Sequence, residues 1–218
     1  MIFQQIEHAS ALGGDTTKNF CWGGSTAIRR SVFENLAVSE RWRGTVSDDF
    51  TITRVLKEAK LPIHFTPHCL VASVGDCDFK ELFEFTTRQI KITRVYASHL
   101  WLPLLLGSAL FALAFFGGLI LLILQILKIL SPTVLLPFVL LIIFTLGAAK
   151  SFIRFRAVSS VLKTSNLDLL THTLLWPFAS LLYLYNAVVA GFSRRIKWRG
   201  ITYELKSPTE AVIISRES

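Results

Sequence analysis

The chain has 218 residues, of which 52% are hydrophobic and only 17% charged, and its mean hydropathy is +0.51; an ordinary soluble domain carries about 25% charged residues. The formal net charge of +8 is unevenly placed: residues 1–98 hold 12 Lys and Arg against 11 Asp and Glu (+1), and residues 99–218 hold 11 against 4 (+7). The excess sits in the apolar half, where cations mark membrane flanks and lipid headgroup contacts; no basic stripe is interleaved with exposed aromatics in the other half, so the pI of 9.7 is not read as a nucleic-acid signal.

The opening MIFQQIEHASALGGD lacks a basic stretch followed by an apolar core and is not a signal peptide. FCWGGSTAI (20–28) predicts a strand running into a glycine turn, and RRSVFENLAVS (29–39) a short helix with Val32, Phe33 and Leu36 on one face. SDDFTITRVLKEAK (47–60) predicts a helix with Ser47 as N-cap and Phe50, Ile52, Val55 and Leu56 as its apolar positions. LPIHFTPHCLVASV (61–74) reads as β-rich, and Pro67 within it speaks against a helical metal pair of His64 and His68. FKELFEFTTRQIKITRVYASHLW (79–101) is amphipathic: Phe79, Leu82, Phe83, Ile90 and Val95 form a stripe, and Arg88, Lys91 and Arg94 project elsewhere, the pattern of a helix lying on a membrane surface. Cys21, Cys69 and Cys77 are odd in number and lack a CxxC spacing, which predicts reduced thiols in a cytosolic setting.

Three runs are free of Asp, Glu, Lys and Arg: Leu100–Leu127 (28 residues), Ile129–Ala149 (21) and Leu169–Ser193 (25). Each exceeds the roughly 20 residues a helix needs to cross the bilayer core. Lys128, Ser131 and Pro132 turn the first run into the second, whereas the third carries His172, Pro177 and Asn186 and could lie partly in the interface. If the first 98 residues face the cytoplasm, three full crossings put Arg194–Gly200 (RRIKWRG) outside, against the positive-inside rule. Two crossings with a tilted or interfacial third segment keep the basic clusters together. The expectation is a multi-pass membrane protein with about three membrane helices, its soluble part cytoplasmic and the side of its C-terminus open.

Asp48 and Asp49 have an ordinary explanation as favourable charge in the first turn of a helix, about 0.3–1 kcal/mol each. Four stretches place them in another context: WGGSTAIRR (22–30), SDDFTITRVLKEA (47–59), TTRQIKITRVYA (86–97) and SRRIKWRGITYEL (193–205). With these the chain resembles the C-terminal half of membrane-bound family 2-type glycosyltransferases, in particular the ceramide glucosyltransferase-like branch and its bacterial hopanoid-associated relatives. The resemblance implies an α/β fold plus membrane α-helices: a partial GT-A-like catalytic domain (1–78), an interfacial amphipathic helix (79–98), a transmembrane region (99–193) and a basic C-terminal tail (194–218).

The same resemblance implies an inverting transfer of a hexose, glucose by analogy, from a nucleotide sugar such as UDP-glucose to a lipid hydroxyl such as that of ceramide, at the cytosolic membrane face. Asp49 would be the general base and Asp48 its neighbour. Trp22, Gly23, Gly24 and Ser25 would floor the acceptor side. Arg88, Gln89 and Lys91 match the family's (Gln/Arg)-x-x-Arg-Trp motif, with Lys91 for the arginine and Ile92 for the tryptophan, and Arg94 offers a replacement contact to the diphosphate. An alternative for all three cations is a grip on lipid phosphates. The family also implies a divalent metal, Mg or Mn, on an upstream DxD. Asp76-Cys77-Asp78 has that form but follows the base, so no metal ligand is assigned, and the expectation is a chain without its donor-binding half, inactive alone. Two other readings stay open: a non-enzymatic membrane-anchored binding or scaffold subunit, and a remnant of a polysaccharide synthase-type glycosyltransferase.

Overall fold

The computed structural model describes residues 13–69, 78–160, 162 and 164–216. The chain divides into two compact units, one made of residues 1–101 with 189–218 and the other of residues 102–188. Most of the described residues outside loops are helical, and the strands form one small sheet.

In the first unit, α1 (Arg30–Asn35) and α2 (Val38–Arg41) are short and lead to α3 (Asp48–Glu58). Ser47 caps α3: its hydroxyl accepts from the Phe50 amide at 3.3 Å, with Asp48 and Asp49 in the first turn and Lys57 in the last, as the macrodipole favours. Ile52, Val55 and Leu56 of α3 are buried with Cys21 and Val38, and Ile28, Val32, Phe33, Leu36, Trp42 and Ile63 close around them. The amphipathic stretch is α4 (Phe79–Tyr96), opened by a capping box in which Asp78 accepts from the Glu81 amide at 2.7 Å and Glu81 from the Asp78 amide at 3.3 Å.

Two predicted β segments differ. FCWGGSTAI contains no strand, and among the described residues no strand lies beside it: the Cys21 amide instead donates to the Thr53 hydroxyl on α3 at 2.9 Å. Residues 61–66 are irregular and Pro67–Cys69 form a single 3-10 turn; Pro62 and Pro67 remove two amide donors that a ladder would need, and residues 70–77 lie outside the described residues. The largest difference lies at the other end. The basic stretch expected as a tail folds into an antiparallel sheet of β1 (Arg195–Trp198), β2 (Ile201–Ser207) and β3 (Glu210–Arg216), in that order. Arg199 (φ 49°) and Gly200 (φ 75°) supply the positive dihedrals of a two-residue hairpin whose twist matches its strands. Ile196 pairs with Tyr203, and Tyr203 with Ile213. Ile196 and Leu205 are buried with Ile92 of α4, and Val46, Phe50, Val95, Tyr96, Tyr203 and Ala211 pack around them.

The second unit is built from apolar helices. α5 (Ser98–Ala112), a π turn (Leu113–Gly117) and α6 (Gly118–Ile126) run on as one helix of 29 residues; α7 (Leu135–Ser159) follows. Between them Lys128 adopts φ 60° and the Gln125 side chain bonds the Thr133 amide and hydroxyl at 3.3 and 3.1 Å, closing the predicted turn. The third apolar run is broken at Leu175 into α8 (Asn166–Leu174) and α9 (Trp176–Phe192), bent by 61°. Glycines set the packing: a Cβ on Gly118 would lie 2.8 Å from Leu140, and one on Gly147 would lie 2.1 Å from the Trp176 ring. Two helices are long and apolar enough to cross a membrane, or three if the bent pair counts as one span.

Leu205 is fully buried between sheet and α4. Leu205→Ala is expected to cost about 2–5 kcal/mol, read as a lowered unfolding midpoint of the detergent-solubilised chain, whereas Ile214→Ala, on an exposed position of β3, is expected to move it by about 0.5 kcal/mol or less.

Candidate active site

The glycine turn closes on itself: the Ser25 amide donates to the Trp22 carbonyl at 3.1 Å, and the Thr26 hydroxyl donates to that carbonyl at 2.6 Å while accepting from the Trp22 amide at 3.0 Å. The Ser25 hydroxyl ties the turn to the 3-10 turn through the Cys69 carbonyl, 2.8 Å away. The Trp22 indole folds back over Gly24, so close that a Cβ there would meet its Nε1 at 3.3 Å. Gly23 faces the acid pair. A Cβ on it would stand 3.4 Å from Asp48 Oδ1 and 3.5 Å from Asp49 Oδ2, so any side chain larger than methyl would enter the space in front of both carboxylates.

The two acids are held differently. Asp48 is exposed; its Oδ1 accepts from the Asp49 amide at 3.0 Å, and its carbonyl accepts from Trp42 Nε1 at 3.1 Å. Asp49 is half-buried, and its Oδ1 accepts from the Ser47 hydroxyl and from the Phe50 amide at 2.7 Å. One oxygen of Asp49 is therefore pinned to the helix cap while Oδ2 lies on the Gly23 side. A carboxylate fixed in this way is aimed before any substrate arrives, the geometry that proton transfer requires. Cys21, beneath the turn, is a structural thiol: burial raises its pKa, the Asp49 charge adds to the rise, and the protonated thiol is unreactive.

The start of α3 is anchored from outside itself. The Val46 amide donates to the Tyr96 hydroxyl at 3.0 Å, and the Phe50 and Tyr96 rings lie 6.0 Å apart. The Ala211 amide of β3 donates to the Gly44 carbonyl at 2.7 Å. Gly44 has φ +75°, and a Cβ there would come within 3.2 Å of the Thr209 carbonyl, so conformation and space both call for glycine.

The cations of α4 have separate partners. Lys91 Nζ donates to the Arg195 carbonyl at 2.8 Å, and burial lowers its pKa. Arg94 donates to the Ala190 carbonyl in the last turn of α9 and lies over the Trp101 ring at 5.1 Å, a cation at a helix C-terminus. Arg88 lies over the Phe85 ring at 5.2 Å; burial lowers its pKa and the charge of Glu84 opposes the shift. Gln89 is half-buried beside it. The structure thus joins Trp22–Ser25 to Asp48 and Asp49, and Lys91 and Arg94 meet carbonyls of β1 and of the last turn of α9. Sequence reasoning missed Trp42, Tyr96 and Gly44, which position the acid pair; the positive-φ requirement at Gly44 left a trace only in the glycine itself.

Among the described residues no group of three or more His, Cys, Asp or Glu is placed to hold a metal ion. Asp78 serves the α4 cap, His64 and His68 are exposed, and Asp76 and Cys77 lie outside the described residues.

A family model described as glycosyl transferase family 21 matches residues 4–211. The chain belongs to glycosyl transferase family 21. No curated protein and no solved structure matches it. Family 21 membership makes the protein a glycosyltransferase, with a nucleotide-sugar donor and an acceptor as its partners, and two to three of its helices are suited to a bilayer.

Ser47 is the hydroxyl on which both the α3 cap and the Asp49 orientation depend. Ser47→Ala is expected to cost about 0.5–2 kcal/mol of stability, and Ser47→Thr, which keeps the hydroxyl, to recover most of it in the same thermal melt.

Proposed function

We propose that this family 21 protein transfers a hexose, glucose by resemblance, from a nucleotide sugar to the hydroxyl of a membrane lipid of the ceramide type, with Asp49 as general base. The observation that carries the reading is the orientation of Asp49: Oδ1 is committed to Ser47 and Phe50, and Oδ2 lies across from a glycine turn that offers no side chain to obstruct an acceptor. An alcohol is a weak nucleophile until its proton has an acceptor. As the lipid oxygen forms its bond to the anomeric carbon, the bond from that carbon to the nucleotide's phosphate oxygen breaks, the lipid proton passes to Asp49 Oδ2, and the nucleoside diphosphate leaves. Displacement by the acceptor in one step inverts the anomeric centre. Asp48 has its Oδ1 tied to the Asp49 amide and acts as a structural neighbour.

Arg88 is the residue of the basic motif proposed to meet the diphosphate, since a guanidinium neutralises developing phosphate charge in a forked geometry, and Gln89 beside it offers a neutral amide N–H. Lys91 and Arg94 support them by fixing the far end of α4. The divalent metal that the resemblance implies finds no ligand set among the described residues. A lipid acceptor is favoured because an apolar region with two to three membrane-length helices follows the base within the same chain.

Hexosyl transfer from UDP-glucose to ceramide, followed by thin-layer chromatography of radiolabelled lipid, tests the reading in the form of the protein that turns over, alone or joined to a donor-binding domain. Asp49→Asn is expected to lower the rate about 10²–10⁴-fold with the melting temperature retained, and Asp48→Asn far less. Wild-type turnover by Asp49→Asn would leave the acid pair as a helix cap and favour a binding subunit. Gly23→Leu is expected to raise the KM for the acceptor, with Gly23→Ala close to wild type because its Cβ meets the carboxylates at ordinary contact distance.

A further inference from the structure

We infer that Asn166–Phe192 is a re-entrant element, entering and leaving the bilayer on one face, so that the chain crosses the membrane twice and the sheet β1–β3 lies on the face that carries Asp49. The inference stands whether or not Asp49 is a base.

Parity limits the number of crossings. The segments before the first apolar helix and after α9 are parts of one packed body: Leu205 and Ile196 are buried against Ile92, Ala211 bonds Gly44 at 2.7 Å, and Lys91 bonds Arg195 at 2.8 Å. No bilayer can pass between groups in hydrogen-bond contact, so the chain crosses an even number of times between Trp101 and Val189. Ser98–Ile126 and Leu135–Ser159, of 29 and 25 residues, are about 43 and 37 Å long against a hydrocarbon core of about 30 Å. These are the two crossings. A third would leave Arg195 and Lys91 on opposite faces.

The broken helix allows a shallow entry and return, and the parity of crossings selects that course over a bent span. α8 has 9 residues and α9 has 17, about 14 and 26 Å, so neither spans the core alone, and they meet at 61°. Irregular backbone is tolerated at membrane depth only where protein shelters it; at this elbow Leu174 and Leu175 are exposed, and the packing is carried by His172, Trp176 and Pro177. The Trp176 ring sits on Gly147 and lies 5.0, 6.1 and 6.2 Å from the rings of Phe111, Phe115 and Phe144. His172 is buried against Phe155 and pairs with the Ser151 hydroxyl at 2.5 Å. Pro177, the second residue of α9, has no amide proton to leave unsatisfied. The outer end of α8 is polar, with an exposed capping box between Ser165 and Asp168.

The distribution of charge agrees with two crossings. Two crossings put Arg154, Arg156, Arg194, Arg195, Lys197 and Arg199 on one face and leave Lys128, in the turn between the spans, on the other. That asymmetry makes the face of Asp49 cytoplasmic under the positive-inside rule; three crossings would split the cations between the two sides.

The test is labelling with a membrane-impermeant maleimide in sealed vesicles of both orientations. Native Cys69, which is exposed, reports the face of the first unit. Ser131→Cys, Ser160→Cys and Lys206→Cys, with Glu210→Cys as a second probe of the sheet, are placed singly on a background lacking Cys21, Cys69 and Cys77. Cys69, Ser160→Cys, Lys206→Cys and Glu210→Cys are expected to react from one side only and Ser131→Cys from the other side only. Reaction of Lys206→Cys and Glu210→Cys on the Ser131→Cys side means three crossings and overturns the inference. Reaction of Ser131→Cys on the Cys69 side means no crossing and overturns it equally.

Discussion

A small apolar contact far along the chain governs the geometry around Asp49. Ile196 and Leu205 of the C-terminal sheet close on Ile92 of α4, and the same cluster takes in Val46 and Phe50, the residues that flank Ser47, Asp48 and Asp49. Burial of such side chains is worth roughly 1.5–3 kcal/mol each, whereas a side chain turning freely on a helix end costs little to displace. The acid pair is therefore placed by hydrophobic packing on both sides of it, and only its final orientation is left to the Ser47 cap. Residues some 150 positions apart in sequence act on one helical turn.

The polar contacts follow from that packing. Once the sheet is seated, its strand start and the last turn of α9 present backbone carbonyls to α4, and Lys91 and Arg94 satisfy them. Burying long basic side chains costs desolvation, visible in the lowered pKa of Lys91, and a carbonyl partner offsets part of it. The same residue types that would suit a diphosphate also suit the end of a helix, so chemistry alone does not decide between the two uses. In the structure Lys91 and Arg94 meet the carbonyls of Arg195 and Ala190.

The legible parts of the fold were those carried by local rules. Ser47 before two aspartates is a cap signal within four residues, the α4 stripe repeats at helical spacing, and long uncharged runs need no tertiary partner to be recognised. FCWGGSTAI misled because strand propensity describes a side chain's fit to a pleated surface, and among the described residues no such surface lies beside it. The sheet was hidden for the opposite reason: Arg194–Arg199 draws attention as charge, while the informative features are the Arg199-Gly200 turn and the alternation of Ile201, Tyr203 and Leu205. The glycine turn and the acid pair are far apart in sequence, so their meeting depends on the core of Cys21, Ile52 and Val55, which no local pattern announces.

The π turn at Leu113–Gly117 fixes the phase of the first membrane helix. A π turn holds one residue more than an α turn of 3.6 residues, so the side chains on either side of it are out of step by about 100°. Phe111 stacks on Phe115 across the turn, and Gly118 just beyond it receives Leu140. Removing one residue within the turn would leave an unbroken α-helix of almost unchanged length and hydropathy, yet rotate Gly118 away from Leu140 and bring a bulkier neighbour into its place. In this helix the count of residues carries information that its composition does not.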